Sequence, residues 1–82
     1  METGYHIDPD GRLLDGDTAS GYRVDEDGIV HGPSGETDFY IEDGWLFEVT
    51  GRLLKVARQT DFCVRDGRLH GPSRTLPWDT PR

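Results

Sequence analysis

Phe39-Tyr40-Ile41-Glu42-Asp43-Gly44-Trp45-Leu46 reads as two short strands joined by a two-residue turn. A type I′ turn needs positive φ at both central residues, which Asp tolerates and Gly adopts freely, so Asp43-Gly44 is suited to join antiparallel strands. Phe62-Cys63-Val64-Arg65-Asp66-Gly67-Arg68-Leu69 repeats the pattern. Two upstream segments, Tyr5 to Leu13 and Tyr22 to Val30, carry one more residue at the turn, giving Pro9-Asp10-Gly11 and Glu26-Asp27-Gly28. These suit three-residue loops, a type I turn followed by a left-handed Gly, and Pro9 stands where such a turn wants φ near −65°.

The chain is therefore expected to be all-β, built from four variants of one antiparallel hairpin at about 5–14, 22–31, 39–48 and 62–70. Residues opposed across a hairpin share a face. Ile7 then faces Leu13, Val24 faces Val30, Ile41 faces Leu46, and Val64 faces Leu69. The aromatic residue two places before each β-branched one (Tyr5, Tyr22, Phe39 and Phe62) joins the same face. These twelve residues form one candidate core. In a chain of 82 residues that core is small, which leaves self-association into a homo-oligomer as a further source of stability.

Between the third and fourth hairpins the chain holds extra residues, Val49 to Asp61. Leu46–Val49 and Arg52–Val56 flank Thr50-Gly51 and are expected to form an inserted strand pair about a tight turn. Leu53–Gln59 is the only segment whose pattern admits a helix. The tail 72–82, with Pro72, Pro77 and Pro81, is expected to be extended, with Trp78 positioned to pin it to the body. The whole chain, 1–82, makes a single domain.

Aromatic-x-[Ile/Val], a polar run ending in Asp-Gly, then an aliphatic residue, recurs over residues 5–71, with His-Gly-Pro-Ser following twice. This resembles small bacterial four-fold β-flower and related β-hairpin-repeat domains. The resemblance implies architecture and carries over no functional residues.

Charge is unevenly placed. Residues 1–48 hold thirteen Asp/Glu and two Arg, a balance of −11, and residues 49–82 balance to +4, for a net of −7. An acidic surface repels phosphate backbones and attracts basic partners. The expected partner is thus a protein with a basic surface, and direct nucleic-acid binding is not expected. The candidate contact residues are Asp8, Asp10, Asp15, Asp17, Asp25, Glu26 and Asp27. By size and charge, with no shared motif, the chain is similar to phage or mobile-element anti-defence proteins, anti-CRISPR inhibitors and DNA mimics among them. The rival surface is aromatic: Tyr40, Trp45 and Phe47 alternate away from the core face beside Glu42, and would serve a small ligand or glycan by stacking.

Catalysis is not expected. His31 and His70 precede Ser34 and Ser73 in the two His-Gly-Pro-Ser copies, yet a nucleophilic pair also needs a group to orient the imidazole, and turn geometry explains Gly-Pro-Ser. The Asp-x-Asp-Gly segments resemble the start of a calcium loop, but the twelfth residue from Asp8 is Ala19, and no acid fills the fifth position from Asp25. No metal or other cofactor is expected. One cysteine, Cys63, no run of eighteen apolar residues, and a first segment unlike a signal peptide point to a cytoplasmic protein without a membrane span.

Overall fold

The computed structural model describes residues 1–51 and 53–79, the last without its side chain. Eight strands follow in order: β1 (Glu2–Ile7), β2 (Arg12–Asp15), β3 (Thr18–Val24), β4 (Ile29–Gly32), β5 (Gly35–Glu42), β6 (Trp45–Thr50), β7 (Val56–Arg65) and β8 (Arg68–His70). Each pairs antiparallel with the next, and β8 pairs with β1, so the sheet closes into a barrel. The all-β hairpin architecture expected from the sequence is present. Closure is the added fact, and it removes the two unpaired edges that an open meander would expose.

All four within-hairpin registers match the opposed pairs expected from the turns: Ile7↔Leu13, Val24↔Val30, Ile41↔Leu46 and Val64↔Leu69. Asp43 and Asp66 adopt φ of 53° and 52°, as two-residue I′ turns require. In the longer loops the N–H of Gly11 donates to Asp8 O at 2.9 Å, and that of Gly28 to Asp25 O at 3.0 Å, closing the type I turns. Of the twelve expected core residues, six are fully buried and the other six pack against them.

The four hairpins are joined by one device used four times. A Ser or Thr stands two residues before each aromatic: Thr3, Ser20, Thr37 and Thr60. Its hydroxyl donates to the carbonyl of a core aliphatic on the preceding hairpin, namely Leu69, Leu13, Val30 and Leu46, at 2.6 to 2.9 Å. The same oxygen accepts the backbone N–H of Tyr5, Tyr22, Phe39 or Phe62 at 3.1 to 3.2 Å. Register shifts occur at these four junctions and at none of the four within-hairpin pairings. A bulge bends the strand but interrupts the ladder, and the hydroxyl supplies the partners that the interruption removes. Beyond each bulge the ladder resumes with a 2.7 Å bond: Val24 N–H to Gly11 O, Ile41 to Gly28, Val64 to Gly44 and, closing the ring, Ile7 to Gly67. Thr37→Val and Thr60→Val keep shape and lose both roles. Each is expected to cost about 1–3 kcal/mol, read as a shift of the urea midpoint at unchanged slope.

Two expectations change. The insertion is not a separate strand pair about Thr50-Gly51: it lengthens β6 and β7, which stay paired through Glu48↔Arg58, Val49↔Ala57 and Thr50↔Val56. The connection spans 51–55, with Arg52 outside the described residues, and no helix forms over Leu53–Gln59. The β-branched Val56 and Thr60 suit a strand continuous with β7. The tail, in turn, is more than an extended strap. Leu76 is 1% exposed within the core, and a short 3-10 turn, Pro77–Asp79, sets the Trp78 ring 5.1 Å from Tyr22 and 5.3 Å from Phe39. The expected extension of residues 80–82 lies outside the described residues.

Candidate functional site

Because consecutive strands are antiparallel neighbours, the connections alternate between the two ends of the barrel. The four Asp-Gly turns therefore share one end. Their loops and flanks carry Asp8, Asp10, Asp25, Glu26, Asp27, Glu42, Asp43 and Asp66 against Arg12, Arg65 and Arg68. Of the seven acidic candidates, Asp8, Asp10, Asp25, Glu26 and Asp27 come together here. Asp15 and Asp17 do not: they lie at the β2–β3 connection, at the opposite end. Asp43 and Asp66 join the acidic end as residues not singled out from the sequence, although they occupy the same turn position.

Two of these carboxylates are committed to the turns themselves. Asp8 Oδ1 accepts the N–H groups of Asp10 and Arg12, both at 2.9 Å, and its Oδ2 meets Arg12 Nε at 2.9 Å. Asp25 Oδ1 accepts from Asp27 at 2.9 Å and Ile29 at 3.0 Å, and its Oδ2 lies 2.7 Å from His31 Nε2. The Arg12 backbone N–H chiefly lowers the Asp8 pKa from its ordinary 3.8. The His31 side chain, then the Ile29 N–H, lowers that of Asp25. Charged Asp8 and Asp25 are turn-building groups, which leaves Glu26 and Asp27 exposed at the second tip.

This division has a measurable consequence. Asp25→Ala is expected to lower the melting temperature clearly, while Glu26→Ala and Asp27→Ala stay within about 0.5 kcal/mol of the unchanged protein. A carboxylate whose folded pKa is depressed contributes stability above its unfolded value and loses it as pH falls through the folded value. Stability should therefore decline below about pH 4, the ordinary carboxylate range. The Asp8→Asn/Asp25→Asn double variant should show a flatter acid limb in urea titrations at successive pH values.

The aromatic candidates sit on the outer wall, on β5 and β6. Tyr40 and Phe47 are cross-strand partners and stack, with centroids 5.2 Å apart and planes 10° from parallel. Trp45, opposite Glu42 on one side and Cys63 on the other, is 37% exposed. Apart from Met1, every exposed large hydrophobic among the described residues belongs to the β6–β7 hairpin: Trp45, Leu53, Leu54 and Val56.

The repeated His-Gly-Pro-Ser has a packing cause. A Cβ on Gly32 would lie 2.7 Å from the Tyr22 ring, and one on Gly71 would run into the Phe62 ring, so each hairpin's own aromatic covers its glycine. His31 is held by Asp25, while Ser34 lies exposed in the β4–β5 connection, and the Ser73 hydroxyl donates to Thr75 O at 3.4 Å. Among the described residues no cluster of three His, Cys, Asp or Glu has metal-binding geometry, and no helix is long and apolar enough to cross a membrane.

No family model, curated protein or solved structure matches the chain.

Proposed function

We propose that the protein is a non-catalytic binding module that presents its acidic hairpin tips to a basic surface on a partner protein, as an inhibitor of a nucleic-acid-binding protein would. The single observation that carries this reading is the gathering of four separate turns at one end of the barrel, with eight carboxylates against three arginines. Glu26 and Asp27 stand on a turn braced by Asp25, and Asp43 and Asp66 on two-residue turns, while Asp10 meets Arg12 at 3.5 Å, so little ordering of these tips remains to be done on docking. An anti-defence protein of a phage or mobile element is one setting that requires such a surface.

The test compares two charge reversals of equal size against an oligo-lysine peptide over a salt series. Glu26→Lys/Asp27→Lys/Glu42→Lys reverses three exposed charges at the tips, and Asp15→Lys/Asp17→Lys/Glu36→Lys reverses as many at the other end. The first variant is expected to weaken binding at least about tenfold and flatten its salt dependence, as steering charges do. Equal losses from both would reduce the effect to net charge and refute the tip assignment.

A second reading, a small-ligand or glycan module, is favoured by one observation, the outward Tyr40–Phe47 stack beside exposed Trp45. Binding that survives high salt and the tip reversal, but fails in Trp45→Ala, would select it.

A further inference from the structure

The loop between β6 and β7 is apolar where loops are usually polar: Leu53 is 99% exposed and Leu54 84%, and Val56, which opens β7, is 58% exposed. It is also a basic stretch in an acidic chain. Thr50 to Gln59 contains Arg52, Lys55 and Arg58 and no acid, which leaves a balance of −10 on the rest of the chain. Beside the same loop lies a groove of about 200 Å³, lined by Ile29, Tyr40, Val49 and Lys55, with Glu36 and Asp38 at its rim. Neither rim carboxylate has an ion pair or side-chain hydrogen bond among the described residues. A cavity of about 150 Å³ with apolar walls accepts a benzene-sized group, so the groove has room for a leucine side chain.

We propose that a second copy of this chain fills that groove, the Leu53–Leu54 tip of each protomer entering the groove of the other about a two-fold axis. The apolar tip meets the apolar floor, and Lys55, which lines the groove of its own chain beside Glu36 and Asp38, stands where the two protomers meet and is shared between its own rim and the partner's, so shape and charge are complementary within one sequence. Tip and groove belong to neighbouring parts of one molecule, since Val49 and Lys55 both line the groove. A reciprocal pair therefore satisfies both contacts at once, whereas a one-way contact would leave a tip and a groove open and propagate into fibres. The contact also covers half-buried Tyr40 and shields Leu53 and Leu54, the two most exposed of the large hydrophobics. An anionic lipid surface is the weaker fit, because Glu36 and Asp38 would face the headgroups beside the same tip.

Sedimentation equilibrium of the full chain, from about 5 to 500 µM to span the weak end of specific interfaces, tests this directly. The unchanged protein is expected to form a dimer within that range. Leu53→Ser/Leu54→Ser is expected to raise the dissociation constant at least tenfold, with an unaltered near-ultraviolet circular dichroism spectrum because both side chains are exposed. Lys55→Glu should weaken the dimer as well, and supplies a second, single-site check on the charged contact. A protein that stays monomeric throughout, or a dimer indifferent to the leucine pair, overturns the proposal. So does a monomer that pellets with anionic vesicles and loses that binding in the leucine variant, which would give the tip to a lipid instead.

Discussion

Gly28→Val is expected to lose about 3–4 kcal/mol, a large part of the ~4–12 kcal/mol that a chain of this length can hold. Two effects add. Gly28 has φ of +86°, a conformation that costs a β-branched residue about 1–2 kcal/mol. A Cβ there would also run into the carbonyl oxygen of Ile41 on the next hairpin, and overpacking of that kind costs a further ~1–3 kcal/mol. The obstacle is backbone, and it belongs to the residue whose N–H donates to Gly28 O at 2.7 Å, so it cannot move aside without breaking the junction. Gly11, set against Val24 O, should behave alike. Gly44→Val and Gly67→Val are also destabilising, through φ of +81° and +75°, but by less, because their Cβ positions lie 3.3 Å from Val64 O and Ile7 O. Urea denaturation of the four variants gives the ranking, and four equal losses would remove the neighbouring carbonyl as a cause.

The second large effect belongs to the tail. Leu76→Ala is expected to cost about 2–5 kcal/mol and Trp78→Ala about 3–5 kcal/mol, the range for truncating packed leucine and tryptophan. Leu76 is among the three most buried large side chains, with Leu46 and Val30. Trp78 touches the aromatics of two hairpins, Tyr22 and Phe39, and so ties the second hairpin to the third. Trp78→Phe keeps a ring in place and should recover most of the loss. Thermal melts of the three variants check this, and a Leu76→Ala protein that melts like the unchanged one would detach the tail from the core.

That dependence was not legible in the sequence. Leu76 lies in a proline-rich stretch without strand or helix period, so nothing local marks it as core, and its burial depends on a core that all four hairpins assemble together. The within-hairpin pairings were legible because Asp-Gly fixes both turn type and register. The junctions carried a signal that went unread: Ser or Thr followed by Gly or Asp and an aromatic, at 3, 20, 37 and 60. The Gly51 cue misplaced the β6–β7 turn, because left-handed glycine, φ +98° here, also occurs inside longer loops. At the candidate site, counting acids located the charge but treated Asp8 and Asp25 as equal to their neighbours. Their spacing, Asp at the first turn position with Gly three residues on, is that of a carboxylate folded back onto its own backbone.

The meeting of β1 with β8 bears on how the chain reaches its native state. Seven of the eight strand pairings join neighbours in sequence, so they can form by local zipping on the time scale of single hairpins. The eighth joins residues as far apart as Thr3 and Leu69, bonded at 2.9 Å, and is the one pairing that local zipping does not bring together. Ring closure is therefore expected to come last. Until it happens both terminal strands offer bare edges to any neighbouring chain, so misassembly competes with folding at that one seam, at a rate that rises with protein concentration.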